Sequence, residues 1–302
     1  MKKYKGYSIL MGLALTVMLL IVSACSAPGA SGSNGNSSLP VLQVLQNSAN
    51  AMQKLKSVHF DTTANASFAG TSSSSASSPG AITVNLKANG DEQAPNEQAH
   101  LTLNNMFNLS EVVTADKVYV QNTQGQWYVL DKSALKGSAG NLFNGSNIFN
   151  INTLISVLEQ VQLTDHGDQN LNGQSLRHIT ATLDKNALQQ ILTTDSQLSN
   201  AIGKQNVDKI LNSTKSLKAT LDVWIDETNF YLHRAELKVN VNADLSSLGT
   251  SNAKSGITLP SNATVTLDVL ADLSKFNQPV TITPPTNAIP TNDPGVVFGG
   301  SR

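Results

Sequence analysis

The chain has 302 residues, with 20 Lys+Arg against 21 Asp+Glu, so no basic excess exists to draw nucleic acid. Hydrophobic residues make up 40% and charged residues 14%, which is enough apolar content for a core and excludes wholesale disorder. A single cysteine excludes an internal disulfide framework and any cysteine-rich metal site.

The first 25 residues account for that cysteine. Lys2, Lys3 and Lys5 form a positive start, and an apolar stretch runs from Ile9 to Val22. Small residues then lead to Cys25 in the order Val22-Ser23-Ala24-Cys25. The apolar run is short for a membrane span and has the layout of a secretory leader. Its ending resembles a bacterial lipobox, in which diacylglycerol is attached to the sulfur and cleavage follows Ala24. The expectation is a leader over 1–24, a lipidated Cys25, and a Gly/Ser/Asn tether to residue 39. Loss of three lysines reduces the basic count from 20 to 17 against 21 acids, a net of −4. Electrostatic docking to an anionic membrane is therefore unavailable, and attachment falls to the lipid. The tether, about 14 residues, spans roughly 20 Å.

Pro40 opens an amphipathic helix of about 17 residues, with Val41, Leu42, Val44, Leu45, Ala49, Met52 and Leu55 at three- and four-residue steps. The period then changes to two. Val58, Phe60, Thr62 and Ala64 face one way, opposite His59, Asp61 and Thr63. Ile82, Val84, Leu86 and Ala88 repeat the pattern after a polar loop at 70–80. Leu101 with Leu103, Val118 with Val120, and the run Trp127–Leu130 continue it. Ile148–Val161 predicts a second helix. Ile179, Ala181 and Leu183 return to alternation, and Asn186–Leu211 predicts two short helices with a break near Gly203. Three further strands carry Leu221, Val223 and Ile225, then Ala235, Leu237, Val239 and Val241, then Val265, Leu267, Val269 and Ala271. The Pro- and Gly-rich end, 285–302, reads as a disordered tail.

One-sided strands in series predict a mostly antiparallel sheet with one buried face. The fold class expected is α+β: a strongly curved half-barrel with helices over its concave apolar side, in one domain spanning 40–284. Phe60, Ile82, Val84, Leu86, Leu101, Leu103, Leu237, Val239, Val265 and Leu267 are expected to share that concave face and to line a cavity. Ala64, Ala88, Ala181, Ala235 and Ala271 are small on the same faces, leaving room for a ligand. The same alternation also describes a simple packed core.

No catalytic constellation is legible. His59, His100, His166, His178 and His233 fall on different segments, and no HExxH, GxSxG or phosphate loop occurs. The stretch Asp165-His166-Gly167-Asp168-Gln169-Asn170 lacks calcium-loop spacing and reads as a hairpin turn. No cofactor and no metal are expected. Trp224, between Asp222 and Asp226, lies on the polar side of its strand as a cover for the outer face or, with Trp127, as an anchor for a protein partner.

The order of segments carries a resemblance. A lipobox and tether lead to Ala51-Met52-Gln53-Lys54-Leu55-Lys56-Ser57-Val58-His59-Phe60, then Asp116-Lys117-Val118-Tyr119-Val120 and Gly125-Gln126-Trp127-Tyr128. The Asn172-Gly173 turn, the run Leu221-Asp222-Val223-Trp224-Ile225-Asp226 and the end Asp272-Leu273-Ser274-Lys275-Phe276-Asn277 follow. This series resembles the LppX/LprA/LprF/LprG lipoprotein family, and more distantly the LolA-like and LolB-like carriers. The resemblance implies a half-open barrel whose apolar cavity carries acyl chains of envelope lipids, with no catalytic residues to transfer. The expected partners are the membrane, through the N-terminal lipid, and an acyl-chain lipid ligand. The alternative is a non-enzymatic envelope sensor or scaffold that binds a protein or peptide.

Overall fold

The computed structural model describes residues 39–71, 82–134, 157–158, 160–194, 208, 211–244 and 262–292. The leader, Cys25, the tether, the loop at 72–81 and most of the two central helical stretches lie outside these residues.

Alternating side chains build twelve strands: β1 Val58–Thr71, β2 Ile82–Gln93, β3 Asn96–Leu103, β4 Phe107–Val113, β5 Lys117–Gln121, β6 Trp127–Asp131, β7 Gln162–Leu171, β8 Gln174–Thr182, β9 Thr214–Ile225, β10 Leu232–Ala243, β11 Asn262–Ser274 and β12 Ile289–Pro290. They form one sheet in the order β12-β6-β5-β4-β3-β2-β1-β11-β10-β9-β8-β7. Every pairing is antiparallel except β12 on β6. The sheet curves without closing, so β12 and β7 remain its edges. The expected α+β half-barrel is the observed architecture.

Two α-helices stand among the described residues, α1 at Val41–Met52 and α2 at Lys185–Thr194. α1 is shorter than its apolar period suggests. It ends at Met52, where the Gln53 amide bonds Ala49, and Leu55 is buried from the following turn instead. The helix runs obliquely across the concave face. Val44 and Leu45, in its first half, pack with Ile179, Ala181 and Ala219 of β8 and β9. Met52, at its end, joins Phe60, Leu86 and Val269 of β1, β2 and β11. Twelve residues at 1.5 Å rise cover about 18 Å, enough to bridge these strands only because the sheet bends around the helix. α2 adds Ala187 and Leu188 to the β8–β9 side, together with Val157 and Leu158.

Three elements depart from the sequence reading. β4 was not expected, yet Asn104 and Asn105 sit at φ 50° and 54° and Leu103 O accepts from Met106 N. That is the primed turn that matches strand twist, and Asn is among the few residues that adopt it cheaply. The Asp165–Asn170 stretch is no hairpin turn. It lies inside β7, where Gly167 at φ 71° sits in a register shift between Asp165 and Asp168, and the hairpin is turned by Asn172-Gly173. Finally, the expected tail from residue 285 is ordered as far as Asn292. After β11, Asn277 N bonds Ser57 O, Val280 N bonds the Gln93 side chain, and Ile289-Pro290 pair with Tyr128-Val129. The segment thus runs from β1, past the β2–β3 turn, to the β6 edge.

Candidate functional site

Strand registers decide which side chains meet on the concave face. Phe60 lies opposite Leu273, Ala64 opposite Leu86 and Val269, Ala66 opposite Val84 and Leu267, and Phe68 opposite Ile82 and Val265. Leu86 opposes Leu103 and Ala88 opposes Leu101; Leu237 opposes Val269 and Val239 opposes Leu267. All ten residues singled out from sequence therefore belong to one phase of one sheet. Their surroundings differ. Phe60 and Leu86 are 1% and 2% exposed and packed against α1, whereas Val84, Leu101, Leu103, Leu237, Val239, Val265 and Leu267 keep part of their surface open. Ile82 is placed by its backbone register alone.

Phe60 also explains a glycine. A Cβ on Gly90 would sit 2.1 Å from the Gln98 carbonyl oxygen and 2.7 Å from the end of the Phe60 ring. The ring occupies the space over the bare backbone of β2, so a large side chain of β1 faces a glycine.

The sequence reading missed three residues on this face. Glu92 continues the inward phase of β2 beyond Gly90 and lies directly opposite Glu97 of β3. Glu97 shares its phase with Ala99, Leu101 and Leu103. Glu111 of β4 pairs with Ala99, one inward step from Glu97. Burial pushes the Glu97 carboxyl up to about 7, opposed by the positive Lys132. Burial, reinforced by the negative charge of Glu97, pushes Glu92 and Glu111 up to about 8, with Lys132 again opposing at Glu111. Glu92 Oε2 is fully buried with no hydrogen-bond partner. Desolvation of a carboxylate favours its neutral form, so protonated carboxyls, which both donate and accept, persist on this wall to higher pH than on an exposed one. The signal was present in the alternation: each glutamate falls in the apolar phase of its own strand.

The other end of the sheet buries a charge differently. Arg177 of β8, 6% exposed, donates from its two terminal nitrogens to Asp165 Oδ2 at 2.7 Å and Glu227 Oε1 at 2.6 Å. Its hydrogen bonds hold Asp165 below the usual carboxylate range, assisted by the Gly167 amide and opposed by partial burial. Asp165, which by sequence falls in the expected hairpin turn, is thus the partner of a buried guanidinium.

The convex face is polar. A depression of about 320 Å³ there is lined by Asp61, Thr63, Lys87, His100 and Asp272, a setting unsuited to an acyl chain. His59 bonds Asp91 at 2.6 Å, His100 bonds Ser110 at 3.2 Å and His178 bonds Asp222 at 2.9 Å. Trp224 stacks on His178 on this face rather than standing free.

The sequence profile of the LppX_LprAFG lipoproteins matches residues 41–282, from the start of α1 to just beyond β11. The chain belongs to that family. No curated protein matches it significantly. Among solved structures, lipoprotein LppX of Mycobacterium tuberculosis is similar at 19% identity over 80% of this chain and 97% of that one, with a TM-score of 0.43. LprF from Mycobacterium bovis is similar at 20% identity over 81% and 96%, with a TM-score of 0.42. A putative outer membrane lipoprotein-sorting protein domain from Vibrio parahaemolyticus reaches 12% identity over 80% and 93%, with a TM-score of 0.23. The chain is thus an LppX_LprAFG lipoprotein, a family placed in the envelope, and no helix among its described residues is long and apolar enough to cross a membrane.

Proposed function

We propose that this lipoprotein is a non-enzymatic carrier that holds acyl-chain lipid of the cell envelope against the concave face of its half-barrel. The observation that carries the reading is the single apolar phase shared by neighbouring strands from β9 to β4, with Val84, Leu101, Leu103, Leu237, Val239, Val265 and Leu267 still partly open. An apolar wall with a few convergent polar groups is the usual composition of a small-molecule site. Glu92, Glu97 and Glu111 supply such groups at the β2–β4 end, so acyl chains run along the leucine and valine rows with the polar head toward the carboxyls.

The domain is held at the membrane by lipid on Cys25, through the 25–39 tether. Cys25→Ser is expected to abolish acylation and leave the fold of 40–284 intact. Radiolabelled palmitate incorporation checks this, and a processed, acylated mutant refutes it. The carrier reading is tested by native mass spectrometry of gently purified protein. Co-purifying lipid is expected, and its loss in Leu101→Trp/Leu103→Trp follows if the chain lies on this wall. Delipidated protein that takes up no acyl chain at all refutes the carrier. The scaffold reading has less support, because Trp224 is stacked on His178 and its indole N–H donates to Gln169 Oε1 at 3.2 Å.

A further inference from the structure

The convex face of β7, β8 and β9 brings together residues that the carrier reading leaves unused. Register places His178 opposite Trp224 and Thr180 opposite Asp222. The bulge at Gly167 turns the His166 side chain onto the same surface, where its ring stacks on His178 with centroids 4.4 Å apart. Trp224 lies on the other side of His178 at 4.3 Å and 3°. His178 Nε2 stands 2.9 Å from Asp222 Oδ1, and His166 Nε2 stands 2.9 Å from Thr180 Oγ1. The Thr180 hydroxyl donates to the same Asp222 oxygen. The ligand atoms of His166, His178 and Asp222 all lie within 4.8 Å of one another.

We propose that His166, His178 and Asp222 form a binding site for a divalent transition metal on the outer face of the sheet. Two imidazoles and one carboxylate are the donors that suit Zn²⁺, Ni²⁺ and Cu²⁺, whereas Mg²⁺ and Ca²⁺ call for oxygen cages. The 2.9 Å separation of His178 Nε2 and Asp222 Oδ1 is that of two ligands held at about 2.1 Å from one ion at nearly a right angle. The stacked rings must tilt to converge on a shared ion. His178 is pinned by Trp224, so the movement falls to exposed His166 on the edge strand. Thr180 Oγ1 or water completes the shell.

The tautomer of His178 does not oppose binding. Its Nδ1 is buried with no partner, so the ring leaves that atom unpaired whether Nε2 holds a proton or a metal. The missing partner at Nδ1 also removes the outer hydrogen bond that usually tightens a histidine–metal bond, which lowers the affinity by about 10- to 100-fold. An ion here ties edge strand β7 to β8 and β9, and so guards the open side of the sheet.

Trp224 provides the readout. In full-length, tag-free protein carrying Trp127→Phe, fluorescence reports Trp224 alone. Titration with Ni²⁺ is expected to quench it saturably at one ion per chain, with Zn²⁺ competing and Mg²⁺ and Ca²⁺ ineffective. His166→Ala, at an exposed position that does not threaten folding, should raise the midpoint at least tenfold, and His100→Ala should leave it unchanged. Zn²⁺ should raise the melting temperature of the parent and not of His166→Ala. Quenching that fails to saturate by 1 mM, or a midpoint indifferent to His166→Ala, overturns the site.

Discussion

The two halves of the sheet treat buried ionisable groups in opposite ways. On the β8–β10 side, α1 and α2 pack over the strands, and the buried guanidinium of Arg177 is paired with two carboxylates. On the β4–β6 side the inward residues form a smaller cluster, Val113, Val118, Val120 and Leu130, to which no described helix contributes. Beside it Glu92, Glu97 and Glu111 enter the wall with no ion pair, and burial raises their pKa instead. A paired charge fixes geometry. An unpaired acid stays neutral and able to bond whatever is placed against it. Arg177 and its two carboxylates thus hold the frame, and the three glutamates are left free to bond.

That comparison breaks most sharply at Arg177. Arg177→Ala leaves Asp165 and Glu227 facing each other without a cation, and should cost about 3 kcal/mol in chemical denaturation. A loss under 1 kcal/mol would mean that this half is not held by its ion pairs.

The seam between the halves comes next. Gly90→Ala pushes a methyl group into the Gln98 carbonyl and the Phe60 ring, with an expected loss of about 2 kcal/mol. The double variant Gly90→Ala/Phe60→Leu should relieve the ring clash alone and recover only part of that loss, because the carbonyl contact remains.

The glutamates make a prediction in pH. Their folded-state values, about 7 to 8, lie above the ordinary 4.5, so the folded form holds protons that the unfolded chain has already lost. Their stabilising contribution is complete below pH 4.5 and is lost as pH rises through 7 to 8. Denaturant midpoints should fall steadily from pH 5 to pH 8. The triple Glu→Gln variant should flatten the curve and be the more stable protein at pH 8. A parent that gains stability over this window would contradict the neutral wall.

The smallest effect concerns side-chain volume. Ala181, 3% exposed, packs with Val44 and Leu45 of α1 in the helix-covered cluster, so Ala181→Leu should cost about 1–2 kcal/mol through overpacking. Leu103, near the β3–β4 turn, keeps part of its surface open, and Leu103→Trp should cost under about 0.5 kcal/mol. Equal costs in thermal melts would remove the distinction between a packed half and an open one.

The order of amino acids alone sets the inward and outward phase of most strands, because a period of two needs no knowledge of neighbours. It also carried the β8 turn at Asn172-Gly173, the opening of α1 after Pro40 and the family resemblance. It misjudged β7, because Gly167 and the polar run around it look like a turn when the register shift that absorbs them is unseen. It passed over β4, because Asn104-Asn105 is a weaker turn signal than Asn-Gly. The glutamates were legible as letters in the apolar phase. Their meaning came only from registers that set Glu92 against Glu97 and brought Glu111 one step away. The same holds for His166, His178 and Asp222, which lie on three strands and up to 56 positions apart in the numbering. Strand pairing fixes such meetings through backbone hydrogen bonds between distant segments, and no local periodicity encodes which segments those are.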